Sequence, residues 1–345
     1  MVAKMITTYS LGKPNQDIVA ETLLALARQD RDLIVVTGDS RGSGKMTAFG
    51  EALPDQLVEI GIAEQNLVGV SAGLASTGKK VFAISPACFL TARSLEQIKN
   101  DVAYSDNPVK LVGISAGVSY GALGSTHHSL HDLAALLAIH NIDIVIPADN
   151  FETYHAILAA ATHPRPIYLR FGKRPMHHLH HSETRFQLGK AIILRSGGDI
   201  TFIAAGETVA PALFAADSLE QRGISCGVIS MHTIRPFDVE AVINAATTSR
   251  ALVTVEEHSV NGGLGSLVAA TLMEAGVWLP FKRVGIPDEH TVAGSQVEIF
   301  KHYGITPEGL AETALNLLNG SRGNRFPASA SATASRPAAN PPASV

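Results

Sequence analysis

DLIVVTGDS, residues 32–40, is an unbroken apolar run that stops at a Gly-Asp-Ser turn. Branched side chains on both faces of such a run suit a strand buried in a parallel sheet with helices on either side. The pattern recurs in KKVFAISP (79–86), VKLVGISAG (109–117), IDIVIPAD (142–149) and PIYLRFG (166–172). Helical stretches at 15–29, 63–76, 94–104, 130–138 and 150–162 separate these runs. Strands alternating with helices predict a doubly wound domain.

The texture changes at KRPMHHLHHSET, residues 173–184, which is polar and aperiodic. It reads as a solvated connection. A metal-binding role for its histidines lacks a flanking Cys or carboxylate frame. A second series follows: AIILRSG (191–197), DITFIAAG (199–206), ISCGVIS (224–230), ALVTVEEH (251–258) and FKRVGIP (281–287). Its helices are expected at 208–222, 238–247 and 263–275, with a last one at 307–318. The expected fold class is α/β: two doubly wound, mostly parallel-sheet domains at 1–175 and 187–320, joined by a linker at 176–186. The stretch 321–345 is Ala, Ser and Pro with almost no large apolar residues, and reads as a disordered tail.

Composition narrows the function. Apolar residues make up 46% and charged ones 17%, enough for sizeable cores, and a net charge of −4 argues against a nucleic-acid surface. Cys88 and Cys226 stand far apart, so neither a disulfide framework nor a zinc site is expected. The N-terminus lacks the apolar stretch of a signal peptide, and no run is long enough to span a membrane. The expected setting is cytoplasmic.

Several motifs fail on inspection. GDSRGSGKM has Asp39 where a phosphate loop needs its first glycine, and Met46 after the lysine. NGGLGS lacks the spacing of a dinucleotide fingerprint. The informative stretch is LVEIGIAEQNLVGVSAGLAS, residues 57–76. Glu64 opens a helix between Ile60, Ile62 and Ala63 on one side and Leu67 and Val68 on the other. A carboxylate among apolar side chains tends to keep a proton, which suits a group meant to share one with a heterocyclic nitrogen. On residue type alone, an acid favoured by the helix dipole is the preferred reading.

From GIAEQN (61–66) onward the chain resembles the transketolase family. VFAISPACFLTARSLEQIKNDVAY (81–104) resembles the family's strand, loop and helix that stack the cofactor ring, and VGISAGVSYGALGSTHHSLHDLA (112–134) its second active-site loop. ISMHTIRPFD, VTVEEHSVNGGLGS and GIPDEHTVAGS resemble its C-terminal domain. The resemblance implies thiamine diphosphate and Mg2+ as cofactors. Glu64 matches the acid that hydrogen-bonds the aminopyrimidine nitrogen, with Ile62 beside it. Phe89 matches the stacking aromatic, though core packing would also explain it. His127 matches a histidine at the reacting end of the substrate. His128 stands where many relatives have Gln or Asn and is carried as a substrate contact. Arg93 faces either the cleft or solvent. Asp132 reads as capping or orienting the next helix.

Where long-form relatives carry a Thr-His-Asp-Ser segment, this chain has Ser115-Ala116-Gly117, and Ala122 and Leu123 replace an acidic pair. Lys13, Arg41 and Lys45 are the candidates for the phosphate end of a sugar. The pattern is closer to split transketolases and to deoxyxylulose-phosphate synthase. The Gly-Asp-Gly motif that holds the family's metal occurs nowhere in the sequence. The resemblance therefore implies a partner subunit carrying the diphosphate-binding domain and most of the metal site, in an α2β2 assembly. The expected reaction moves a two-carbon ketol unit from a ketose, phosphorylated in the favoured case, to an aldose. A 2-oxo acid dehydrogenase beta subunit, a deoxyxylulose-phosphate-synthase-like enzyme and a non-catalytic scaffold are the alternatives.

Overall fold

The computed structural model describes residues 9–320; the tail expected at 321–345 lies outside the described residues. The first sheet has seven strands, in the order Thr233–Arg235, Asp143–Val145, Ile167–Arg170, Lys110–Ile114, Lys80–Pro86, Leu33–Thr37 and Leu57–Glu59. All its neighbours are parallel except Thr233–Arg235, which runs antiparallel to Asp143–Val145. The second sheet orders Phe281–Ile286, Leu252–Ser259, Ile200–Ala204, Cys226–Ser230 and Ile192–Arg195, the last antiparallel at the edge. The central strands are buried along their whole length, as their uninterrupted Val and Ile runs require.

Capping residues set several helix starts. Asp149 accepts from the Glu152 N–H and begins Asn150–Thr162; Asp238 accepts from the Ala241 N–H and begins Val239–Thr248. Ser295 and Glu298 form a capping box on Gln296–His302. One apolar cluster crosses between the two series: Leu133, Ile144 and Ile146 pack in the same core as Ile203, Met231 and Val242. Each such buried aliphatic side chain contributes about 1.5–3 kcal/mol against exposure.

Two expectations need correction. The segment 176–186 is solvated only in part: His178, His181, Ser182, Glu183 and Arg185 are exposed, but Met176 and Leu179 are buried, and Pro175–His177 pairs with Leu11–Pro14. The His180 side chain is 1% exposed, bonds Asp149 through Nδ1 at 2.8 Å and faces Glu152 with Nε2 at 3.1 Å. Asp132 caps nothing. It is fully buried and accepts from Arg170 Nε at 2.7 Å and from the Tyr168 hydroxyl at 2.8 Å, tying strand to helix from within. ACFLTAR forms the helix Ala87–Arg93, entered through Pro86, which carries Phe89 and Arg93 one turn apart.

Candidate active site

The expected site residues follow the carboxyl ends of three parallel strands, where open α/β sheets bind their ligands. Leu57–Glu59 leads to Glu64, Lys80–Pro86 to Phe89 and Arg93, and Lys110–Ile114 to the loop bearing His127. Glu64 is the first residue of the helix Glu64–Ser76 and only 5% exposed. Its setting is not purely apolar. Arg93 Nη1 lies 2.9 and 3.0 Å from its two oxygens. Arg93 is one turn beyond Phe89, which turns the guanidinium back so that its carbon stands 4.3 Å from the Phe89 ring centroid.

His127 packs edge-on against both Phe89 and Tyr120, with centroids 5.3 and 5.4 Å away. Its Nδ1 is 3.0 Å from Thr126 Oγ1. Glu64, Arg93, Phe89, His127 and Tyr120 thus form one continuous contact chain. Tyr120 came from no sequence signal, since a single Tyr in a glycine-rich loop looks like any other.

His128 is turned into its own loop. It is 4% exposed, and Nε2 bonds the Gly121 carbonyl at 2.9 Å. Burial pushes its pKa down, and the bond to the Gly121 carbonyl braces the loop. Ile62 is 73% exposed, beside the site but uncovered by this chain. Tyr104 and Leu123 are exposed as well.

Of the candidate cations, Lys13 pairs with Glu21 at 2.7 Å and Lys45 approaches Asp17 at 3.5 Å. Arg41 donates to the Thr47 carbonyl at 3.2 Å. Lys173, not foreseen, lies with Nζ 4.8 Å from the Tyr120 ring centroid and makes no ion pair among the described residues.

The residues fit the group the resemblance implied. A planar cation with N–H donors already lies against the Phe89 face and donates to Glu64. A flat heterocycle with a protonated ring nitrogen asks for the same two partners.

Comparison with known proteins agrees with this geometry. The family model for the transketolase pyrimidine-binding domain matches residues 13–177, and that for the transketolase C-terminal domain matches 189–310. The chain is 50% identical over 299 residues to a subunit of the apulose-4-phosphate transketolase of Phocaeicola vulgatus, covering 86% of this chain and 95% of that one. It is 34% identical to a 6-deoxy-6-sulfo-D-fructose transketolase subunit of a Clostridium species, covering 87% and 92%. A solved split-gene transketolase, described as an inactive beta4 tetramer, superposes with a TM-score of 0.82 at 32% identity, covering 89% of this chain and 99% of that one. The chain therefore belongs to the transketolase family, as the subunit made of the pyrimidine-binding and C-terminal domains.

Proposed function

We propose that this transketolase subunit holds the aminopyrimidine end of thiamine diphosphate between Glu64 and Phe89 and presents His127 to a sugar with an anionic end. The observation that carries the reading is the Arg93 guanidinium lying between Phe89 and Glu64. Bound there, thiamine diphosphate would supply the electron sink for breaking the C2–C3 bond of a ketose and passing two carbons to an aldose. Glu64 fixes the protonation of the ring nitrogen it faces. Arg93, half exposed, gives way to the ring or moves to its flank. His127 keeps Nδ1 on Thr126, which leaves Nε2 to exchange a proton with a substrate hydroxyl.

The relatives are named for sugars carrying a phosphate and a sulfonate. Lys173 suits the anionic end of such a substrate, because Tyr120 alone separates it from His127 and no acid neutralises it among the described residues. The diphosphate and Mg2+ belong with a second chain, since this sequence has no Gly-Asp-Gly motif. That partner would cover Ile62, Tyr104 and Leu123, and the assembly is α2β2 in the cytoplasm. The 2-oxo acid dehydrogenase and scaffold alternatives have no observation in their favour.

The test mixes this chain with a subunit carrying the metal motif, thiamine diphosphate and Mg2+, and follows ketol transfer. Activity should need both chains. Glu64→Ala should lose at least about a thousandfold in turnover while unfolding like the wild type. Turnover within tenfold of wild type ends the Glu64 assignment. Tight, Mg2+-dependent cofactor binding by this chain alone ends the two-chain reading.

A further inference from the structure

Between the two halves lies a polar cluster that no step above uses. Gln296, 6% exposed at the start of Gln296–His302, donates through Nε2 to Glu207 Oε2 at 2.6 Å and to Glu257 Oε1 at 2.8 Å. The same Glu257 oxygen accepts from the Val118 N–H at 2.8 Å. Val118 begins the loop that carries Tyr120, His127 and His128, whose ends are pinned by a bridge between Gly117 and Ser129. The loop is moulded on the C-terminal half at two points. Gly117 has φ +62°, and a Cβ there would fall inside the Glu257 side chain. Gly121 has φ +52°, and a Cβ would stand 2.6 Å from the Gly294 carbonyl oxygen.

We propose that Glu257, held by Gln296, which Glu207 anchors in turn, is a positioning residue for the reaction: it sets the loop 117–129 and with it the place of His127. The role given to His127 rests on the function proposed above; the placement of the loop does not.

The charges explain why the arrangement holds near neutral pH. Two carboxylates bonded to one buried amide repel each other too strongly to be ionised together. Burial, and then the Glu207 charge, push Glu257 up to about 8, and burial raises Glu207 as well. Arg170 faces both acids from its strand, but Asp132 already neutralises it; Arg174 faces Glu207. Tyr168 and His258 complete the surroundings of Asp132, and burial holds His258 down to about 4, so it brings no charge. The pair therefore keeps one proton until the solution turns alkaline. A second negative charge would then push Glu257 and Glu207 apart and loosen the hold on Val118.

Hydrogen exchange of the full chain, corrected for the intrinsic pH dependence of exchange, reads the loop without any assay of activity. Peptides covering 117–129 should be protected at pH 7 and lose about tenfold in protection above pH of about 8. Glu207→Gln should keep the protection and lose the alkaline step. Glu257→Gln, which still accepts from Val118, should match wild type at pH 7, whereas Glu257→Ala should exchange fast throughout. In the assembled enzyme, Glu257→Ala should lower kcat about a hundredfold with little change in KM, and Glu257→Gln should restore most of it. Wild-type protection in Glu257→Ala, or an unchanged alkaline step in Glu207→Gln, overturns the proposal. If Glu257→Ala fails to fold, the two glutamine variants decide. A wild-type mixture without ketol transfer would instead end the functional reading and leave the exchange result standing.

Discussion

Two carboxylate–arginine pairs in this chain differ in one respect that decides what each is for. Glu64–Arg93 and Asp132–Arg170 have similar distances, 2.9 and 2.7 Å. In the first, the Arg93 side chain is 49% exposed; in the second, Arg170 and Asp132 are 5% and 0% exposed. Arg170 also donates to the carbonyls of Ser129 and Glu257 at 3.0 and 2.9 Å, so the pair knits loop, strand and C-terminal half together. Arg93 has Phe89 beneath it and water above. An open pair can exchange its cation for a ligand, whereas a sealed pair cannot let go without leaving a charge in the interior.

The sealed pair should give the largest effect. Asp132→Ala leaves Arg170 buried without its counter-charge and should cost about 3–5 kcal/mol of unfolding free energy in denaturant titrations. A loss below about 1 kcal/mol would mean that water reaches Arg170, and the contrast with Arg93 would vanish. The pair has a pH signature too. Burial works against the Asp132 charge, but the Arg170 charge, with the hydrogen bonds from Arg170 and Tyr168, outweighs it and holds its pKa below the usual aspartate value. Its contribution is therefore present at neutral pH and lost only in strong acid.

His180 is the next largest. Burial disfavours its charge, yet the bonds to Asp149 and Glu152 prevail and raise it to about 9. A raised histidine stabilises fully below its unfolded value of about 6.5, and that support fades as the pH climbs through about 9. Between a pH of about 6.5 and about 9.5 the wild type should lose about 3 kcal/mol more than His180→Gln. Equal pH dependence in the two proteins would mean that His180 is neutral in the fold.

These two cases also show where the sequence was legible. The Val and Ile runs announced both sheets, and the helix 150–162 was read to the residue, because strand burial and the Asp149 cap are local facts. MHHLHH misled because the partners of His180, Asp149 and Glu152, lie about thirty residues away and no local spacing encodes them. Arg93 was ambiguous for the same reason: it meets Glu64 from 29 residues away. Asp132 looked like a cap since it sits at a helix start, and only the fold sets it against Arg170. The double acid in VTVEEH was the one legible hint of the buried cluster, because acids inside an otherwise apolar strand demand partners.

Lys173 tests the open side of the comparison with a smaller effect. Lys173→Met keeps much of the stem that covers Tyr120 and removes the charge. KM for a sugar phosphate should rise about tenfold, the size of one charge-assisted hydrogen bond of about 1.4 kcal/mol, with kcat little changed. An equal rise for the matching sugar without phosphate would show that Lys173 packs against Tyr120 and recognises no anion.

Arg93 should give the smallest effect on stability and sharpen the contrast most. Glu64 sits at a helix start, where the dipole already favours its charge, so losing one half-solvated cation should cost no more than about 1 kcal/mol. Arg93→Met retains bulk over Phe89 but no donor for Glu64. If the guanidinium competes with the cofactor ring for that carboxylate, thiamine diphosphate should bind the assembled enzyme as tightly or tighter, because no ion pair need be broken first. If Arg93 instead stays beside Glu64 and orients it, the same variant should bind the cofactor several-fold more weakly and turn over more slowly. Calorimetry of the two assembled proteins separates these outcomes. The first makes Arg93 a placeholder, the second makes it a working neighbour, and the sealed Asp132–Arg170 pair allows neither.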